Sequence, residues 1–214
     1  MPFALKPKQT VLFIGDSITD CGRRAQAAPL GEGYVRHIRD LIAVKYPALN
    51  LNIRNTGISG NTVRDLFNRW TDDCIAYQPD WLSIKIGIND IHRWLRNIED
   101  QAVTPDEFAD LYDKILARVK KETKARIILV EPFYMSLDAK SDSFRSTVLE
   151  HLPSYIKTVN SMSRKYKTKI VHTHKAYQNL LKHISPDQIC NEPVHPNASG
   201  HLVIAYEWLK TMGW

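Results

Sequence analysis

Most of the features that would place this 214-residue chain in or beyond a membrane are missing from it. No run approaches the roughly 18 consecutive apolar residues of a membrane span, and the opening MPFALKPKQT carries no apolar core of the signal-peptide kind. Cysteine is scarce: Cys21, Cys74 and Cys190 are odd in number, far apart and without a CxxC pair, which argues against a disulfide framework and against a zinc site. The expected setting is a reducing, cytoplasmic one with no membrane partner. Glycine-rich nucleotide signatures are absent as well, since FIGDSIT fits neither GxGxxG nor GxxxxGK[ST]. With Thr19 two positions after Ser17, the stretch is not a GxSxG nucleophile elbow either. Repeats, low-complexity tracts and Ser/Gly/Pro linkers are all lacking, so one domain over residues 1–214 is expected. The net charge of +6 is spread thinly, and its densest groups, RVKKETKAR and SRKYKTK, read as solvated helix ends rather than as a nucleic-acid surface.

What the sequence does have is alternation. The short apolar runs TVLFIG, LNIRNTG, WLSIKIG, RIILVEP and TKIVHTH are interspersed with stretches of helical pattern: GYVRHIRDLIAVKYP, NTVRDLFNRWTDDCIAY, PDEFADLYDKILARVKKET and a last helix from Asn197. This predicts an α/β fold, doubly wound, with a mainly parallel sheet of at least five strands and helices on both faces. Polar residues follow the carboxyl ends of these runs: Asp16 and Ser17, then Asn55 to Asn61, Gly87 to Asp90, and Glu131 to Tyr134. In such sheets these loops gather at one rim, where binding and chemistry are placed.

Ser17 stands where a buried strand leaves the core, and a serine nucleophile needs a base. His195, in NEPVHPNASGH, has Glu192 three residues before it, a spacing at which a carboxylate can orient an imidazole. Two loops offer donors for a developing oxyanion. Gly60 in NTGISGNT lets a backbone N–H approach a substrate, and Asn89 in GIND can point a carboxamide at an anion without adding charge. Read singly, the first is equally an Asx-turn loop and the second a helix N-cap.

In chain order, GDSIT, GISG, GIND and EPVHP match the blocks of the SGNH hydrolases, the GDSL esterase/lipase family, which this sequence resembles. The resemblance implies a flavodoxin-like five-stranded sheet, Ser17 as nucleophile and first oxyanion donor, Gly60 and Asn89 as the second and third donors, and His195 as base. GDSITDCGR, GYV, GISGNTVRDL, RW and PDW are similar to a bacterial cytoplasmic branch acting on acetylated xylo-oligosaccharides, whose members form homo-oligomers. One position departs: the family block reads Asp-x-x-His-Pro, whereas Glu192 here is one methylene longer. Either the loop moves back to let glutamate serve, or a backbone carbonyl orients His195 and a Ser-His dyad remains.

The expected function is hydrolysis of small acyl esters, acetyl foremost, on an oligosaccharide carrier, with no metal or organic cofactor. A general carboxylesterase or lysophospholipase-like enzyme and a non-catalytic carbohydrate-binding protein are the alternatives. Asp16 reads as a brace for the serine turn. Asp16, Tyr34 and Trp94 are the candidate substrate-side residues, the two aromatics as a sugar-stacking wall or, alternatively, as core packing. His172 and His174 are expected on one strand face, packing the sheet.

Overall fold

The computed structural model describes residues 2–214. Strands β1 (Thr10–Gly15), β2 (Asn52–Asn55), β3 (Trp81–Lys85), β4 (Arg126–Val130) and β5 (Lys169–Val171) form one parallel sheet in the order β2-β1-β3-β4-β5. This is the doubly wound arrangement the alternation predicts. Its reversal point lies between β1 and β3, where crossovers leave in opposite directions and open a crevice at the carboxyl edge. Across that pair Val11 lies beside Trp81 and Gly15 beside Lys85, so the chain after Gly15 and the chain after Lys85 emerge side by side.

Val11 to Ile14, all of β3 and Ile127 to Val130 are buried, because helices cover both faces of the sheet. On one side α2 (Tyr34–Lys45), α8 (Thr173–Leu180) and α9 (Ala198–Thr211) pack together; on the other α3 (Val63–Asn68), α5 (Ile88–Leu95), α6 (Pro105–Glu122) and α7 (Phe144–Tyr166) do so. Helix starts follow the sequence: Thr104 caps α6 with Pro105 at its first position, and Asn197 caps α9 by accepting from the Gly200 N–H. Among the described residues, no helix is long and apolar enough to cross a membrane.

Three elements differ from expectation. The pattern NTVRDLFNRWTDDCIAY is split into α3, a single turn α4 (Trp70–Asp73) and a 3-10 turn. The break falls at Arg69, whose guanidinium donates to the Gly15 and Thr56 carbonyls at 3.2 and 2.8 Å and to Asn61 Oδ1 at 2.7 Å. The run TKIVHTH contributes only three strand residues. His172 precedes α8 and His174 lies within it, so neither packs the sheet as expected: the His172 ring bonds Glu131, and His174 Nδ1 accepts from the Tyr134 N–H. Helix α7, 23 residues long, has no counterpart in the pattern reading. Pro153 and many hydroxyl residues interrupt its sequence, yet Val148, Leu152, Tyr155 and Val159 make a buried stripe at helical spacing.

Candidate active site

Ser17 opens α1 (Ser17–Asp20), a single turn directly after β1. Asp16 caps it: Oδ1 accepts the Ile18 N–H at 3.0 Å, and both carboxylate oxygens lie 3.1 to 3.3 Å from Lys85 Nζ at the end of β3. Both partners are wholly buried. Burial pulls the Lys85 ammonium below its usual range, and the neighbouring Asp16 acts against that. The serine turn is thus held from beneath by an ion pair with no exposure to water. Asp16 therefore braces the turn, and the expectation that it contacts substrate is corrected by its burial.

Ser17 Oγ lies 2.8 Å from His195 Nε2. On the far side of the ring, Nδ1 bonds Glu192 Oε1, which also accepts the His195 backbone N–H at 2.7 Å, while Oε2 accepts the Val194 N–H at 3.0 Å. Burial works to raise the Glu192 pKa, but the ring and backbone donors outweigh it and hold the carboxyl at about 2. A carboxylate only accepts, so Nδ1 carries the hydrogen, Nε2 offers its lone pair and the Ser17 hydroxyl donates to it. The extra methylene of glutamate reaches the ring without a substitute carbonyl. The loop is fixed at both ends, by Met135 N–H on the Pro193 carbonyl at 2.8 Å and by Asn197 N–H on the Ile189 carbonyl at 2.9 Å.

The Gly60 loop is laid against this Ser17 turn. Ile58 N–H donates to Gly15 O at 3.0 Å, and Ser59 donates through both its N–H and its hydroxyl to Asp20 Oδ2, each at 3.0 Å. Gly60 has φ +82°, a conformation that glycine adopts without strain. Asn89, in the first turn of α5, spends one N–H on the Asn61 carbonyl at 2.9 Å and keeps the other. Its neighbour Asp90 is buried, accepts the Val63 N–H at 2.9 Å and so ties α5 to α3; burial pushes its pKa up to about 7. Among the described residues, the N–H groups of Ser17 and Gly60 donate to no protein acceptor. The loops of this rim therefore carry three unspent donors and a hydroxyl hydrogen-bonded to an imidazole, a set of groups suited to acyl transfer.

Two other expected residues are aromatic. Tyr34 is fully buried, its hydroxyl 3.0 Å from Thr19 Oγ1 and its ring stacked on His201, so it cannot wall a sugar. Trp94 is half-buried, packs partly on the core and meets His151 of α7 edge-on at 5.0 Å, so of the two aromatics it is Tyr34 that burial removes from the wall. Pattern reading missed Asp20, Lys85, His92 and Arg93. His92 and Arg93 stand three and four residues after Asn89, one helical turn on, and that spacing was the available signal. The His92 ring is edge-on to Tyr134 and Phe144. Burial foremost, with Arg96 and His195 adding and Glu192 opposing, lowers its pKa to about 4.

The model of the GDSL-like Lipase/Acylhydrolase family matches residues 13–203. The chain is similar to the acetylxylan esterase of Geobacillus stearothermophilus, with 37% identity over 212 residues, 96% of this chain and 94% of that one. The crystal structure of that enzyme, Axe2, superposes with a TM-score of 0.89 at 37% identity, covering 99% and 97% of the two chains. LAE5, an alpha/beta hydrolase enzyme from the metagenome of Lake Arreo, Spain, superposes with a TM-score of 0.90 at 29% identity, covering 99% and 98%. Catalytic mutants of Axe2 have a serine, an aspartate or a histidine changed to alanine, and that aspartate precedes the histidine by three residues, as Glu192 precedes His195.

Proposed function

Because the chain belongs to the GDSL-like lipase/acylhydrolase family, and is accordingly a carboxylic ester hydrolase, we propose that it removes small acyl groups, acetyl foremost, from a carrier of the acetylated xylo-oligosaccharide kind, with Ser17, His195 and Glu192 as its triad. The observation that carries this reading is the continuous line from Ser17 Oγ–H to His195 Nε2 at 2.8 Å and from His195 Nδ1–H to the Glu192 carboxylate. His195 Nε2 takes the hydroxyl proton as Ser17 Oγ adds to the ester carbonyl carbon, and the carbonyl electron pair moves to oxygen. The Ser17 and Gly60 N–H groups and the Asn89 carboxamide receive that oxyanion, while Glu192 faces the imidazolium. Collapse expels the carrier alcohol with the proton from His195, and water repeats the sequence on acyl-Ser17 to release the acid.

The carrier is supported by similarity to the Geobacillus acetylxylan esterase and by an open rim, where the His195 side chain is 58% exposed. Beside Glu192, a cavity of about 310 Å³ lined in part by Met135, Ser136, Arg145 and Asp187 offers mixed polar and apolar contact. Self-association, expected from the xylo-oligosaccharide branch, has exposed apolar surface at Leu202 and Tyr206 of α9, and light scattering at micromolar concentration checks it.

Ser17→Ala is expected to abolish hydrolysis of a small activated acetate ester with an unchanged unfolding temperature. Turnover surviving in that variant overturns the serine mechanism. Parallel kcat/KM values on acetylated xylo-oligosaccharides and on fatty esters of graded length decide the carrier, and a preference for long chains replaces this substrate class with a general esterase.

A further inference from the structure

The turn Ile58–Asn61, closed by Asn61 N–H on the Ile58 carbonyl at 3.2 Å, carries Gly60 at its tip. Ser59 is exposed and Gly60 and Asn61 are half-exposed, so little apolar burial fixes the position of this tip. A glycine turn of this kind stays in place only through its polar contacts. Two of these come from opposite sides. From α1, Asp20 Oδ2 accepts the Ser59 N–H and hydroxyl. From α5, Arg93 Nη2 donates to the Gly60 carbonyl at 2.6 Å, and Nη1 stands 3.8 Å from Asp65 of the α3 capping box. The guanidinium is close enough that a β-carbon on Gly60 would meet Nη2 at 3.5 Å. One turn earlier on the same helix, Asn89 holds the next carbonyl, that of Asn61, at 2.9 Å. Arg93 and Asn89 thus register one turn against one helix, while Asp20 registers it against the nucleophile's own helix.

We propose that Arg93 is a positioning residue for ester hydrolysis, clamping the Gly60 turn between α5 and α1 so that its free N–H sits at a fixed distance from Ser17 Oγ and from the Asn89 carboxamide. The inference rests on the reading of Gly60 and Asn89 as oxyanion donors. A donor displaced by even an ångström loses most of its value to a transition state while ground-state binding hardly changes. Arg93 touches neither the ester nor Ser17 in this scheme; it acts through Gly60.

The test compares Arg93→Met, Arg93→Lys and Asn89→Ala as single variants, and Arg93→Met combined with Asn89→Ala as a double variant, on a small acetate ester. Arg93→Met is expected to lower kcat by about 10- to 100-fold with KM within about twofold, a fraction of the ~10²- to 10³-fold that loss of a donor costs. Arg93→Lys, whose ammonium still reaches the Gly60 carbonyl, restores much of that loss. Affinity for a boronate that adds to Ser17 falls in parallel with kcat. In the double variant the losses are expected to be less than additive, because both act on one oxyanion site. Wild-type kcat in Arg93→Met, a rise in KM alone, or fully additive losses would each overturn the clamp. Should Arg93→Met not fold, Arg93→Gln carries the same comparison. Ser17→Ala separates the two levels: activity retained there removes the serine reading itself, whereas an inactive Ser17→Ala beside a fully active Arg93→Met removes only the clamp.

Discussion

At Glu192 two oxygens meet three donors: Oε1 accepts from the His195 ring and backbone, Oε2 from the Val194 N–H. An amide in that place must turn its NH2 toward one of these N–H groups, and the ring relieves the clash by moving its proton to Nε2, where it no longer serves as base. Glu192→Gln is therefore expected to be the worst of a series, with kcat falling by up to ~10⁴-fold, Glu192→Ala intermediate and Glu192→Asp partly active. Steady-state kinetics with matched unfolding curves check the order, and near wild-type kcat in all three would leave a Ser-His dyad. The Glu192 pKa of about 2 lies below its ordinary value of about 4.3, so its contribution to stability is complete above that value and disappears as pH falls toward 2. Asn89→Ala is expected to lower kcat by about 10²- to 10³-fold with little change in KM, since in the proposed mechanism its second N–H receives charge that develops only in the transition state. A pure KM effect would make Asn89 a substrate contact.

Between elements, the site depends on how closely the Gly60 loop lies on α1. A β-carbon at Gly57 would stand 2.5 Å from the Asp20 nitrogen and 2.8 Å from the Thr19 carbonyl carbon, both backbone atoms that cannot swing aside. Gly57→Ala must lift the loop, and a stability loss of about 1–3 kcal/mol is expected together with a lower kcat. Thr62→Ala removes the cap of α3, where Thr62 and Asp65 bond reciprocally, and is expected to cost about 1 kcal/mol with a smaller kinetic effect. Chemical denaturation with kinetics on both variants checks the contrast; equal kinetic losses would mean that the loop takes its position from α3. The strands and most helices were legible because apolar runs and 3.6-residue stripes reflect which faces are buried. The break at Arg69 was not, since its cause is three acceptors contributed by β1 and the loops after β2.

For the molecule as a whole, acid is the expected weakness. His92 and His174 are held to a pKa of about 4, and His201 to about 3, chiefly by burial, whereas the unfolded chain titrates near 6.5. The folded values lie below the unfolded one, so the stability these rings contribute is present above about pH 6.5 and is lost as pH falls toward 4 and 3. His201 is the clearest case, because Nδ1 accepts the Tyr34 N–H at 3.2 Å and the ring must stay neutral to do so. Thermal unfolding between pH 7.5 and 4.5 should show a steep drop that His201→Gln makes shallower; a parallel drop in both proteins would place the acid sensitivity elsewhere. The sequence by itself determined the parallel doubly wound sheet and the identity of Ser17, Gly60, Asn89 and His195 as site candidates, because strand burial, the loops at strand ends and the spacing of four short blocks are all local features. Only the tertiary structure decided that Glu192 reaches the imidazole, that Tyr34 belongs to the core, and that Asp20, Lys85 and Arg93 join Asp16 in holding the site from behind. For Tyr34, Asp20, Lys85 and Arg93 the outcome depends on distances between residues that the chain brings together from separate strands and helices, which no local pattern records; for Glu192 the spacing was local, but the path of its loop, set by contacts to Met135 and Ile189, decided between the carboxylate and a backbone carbonyl.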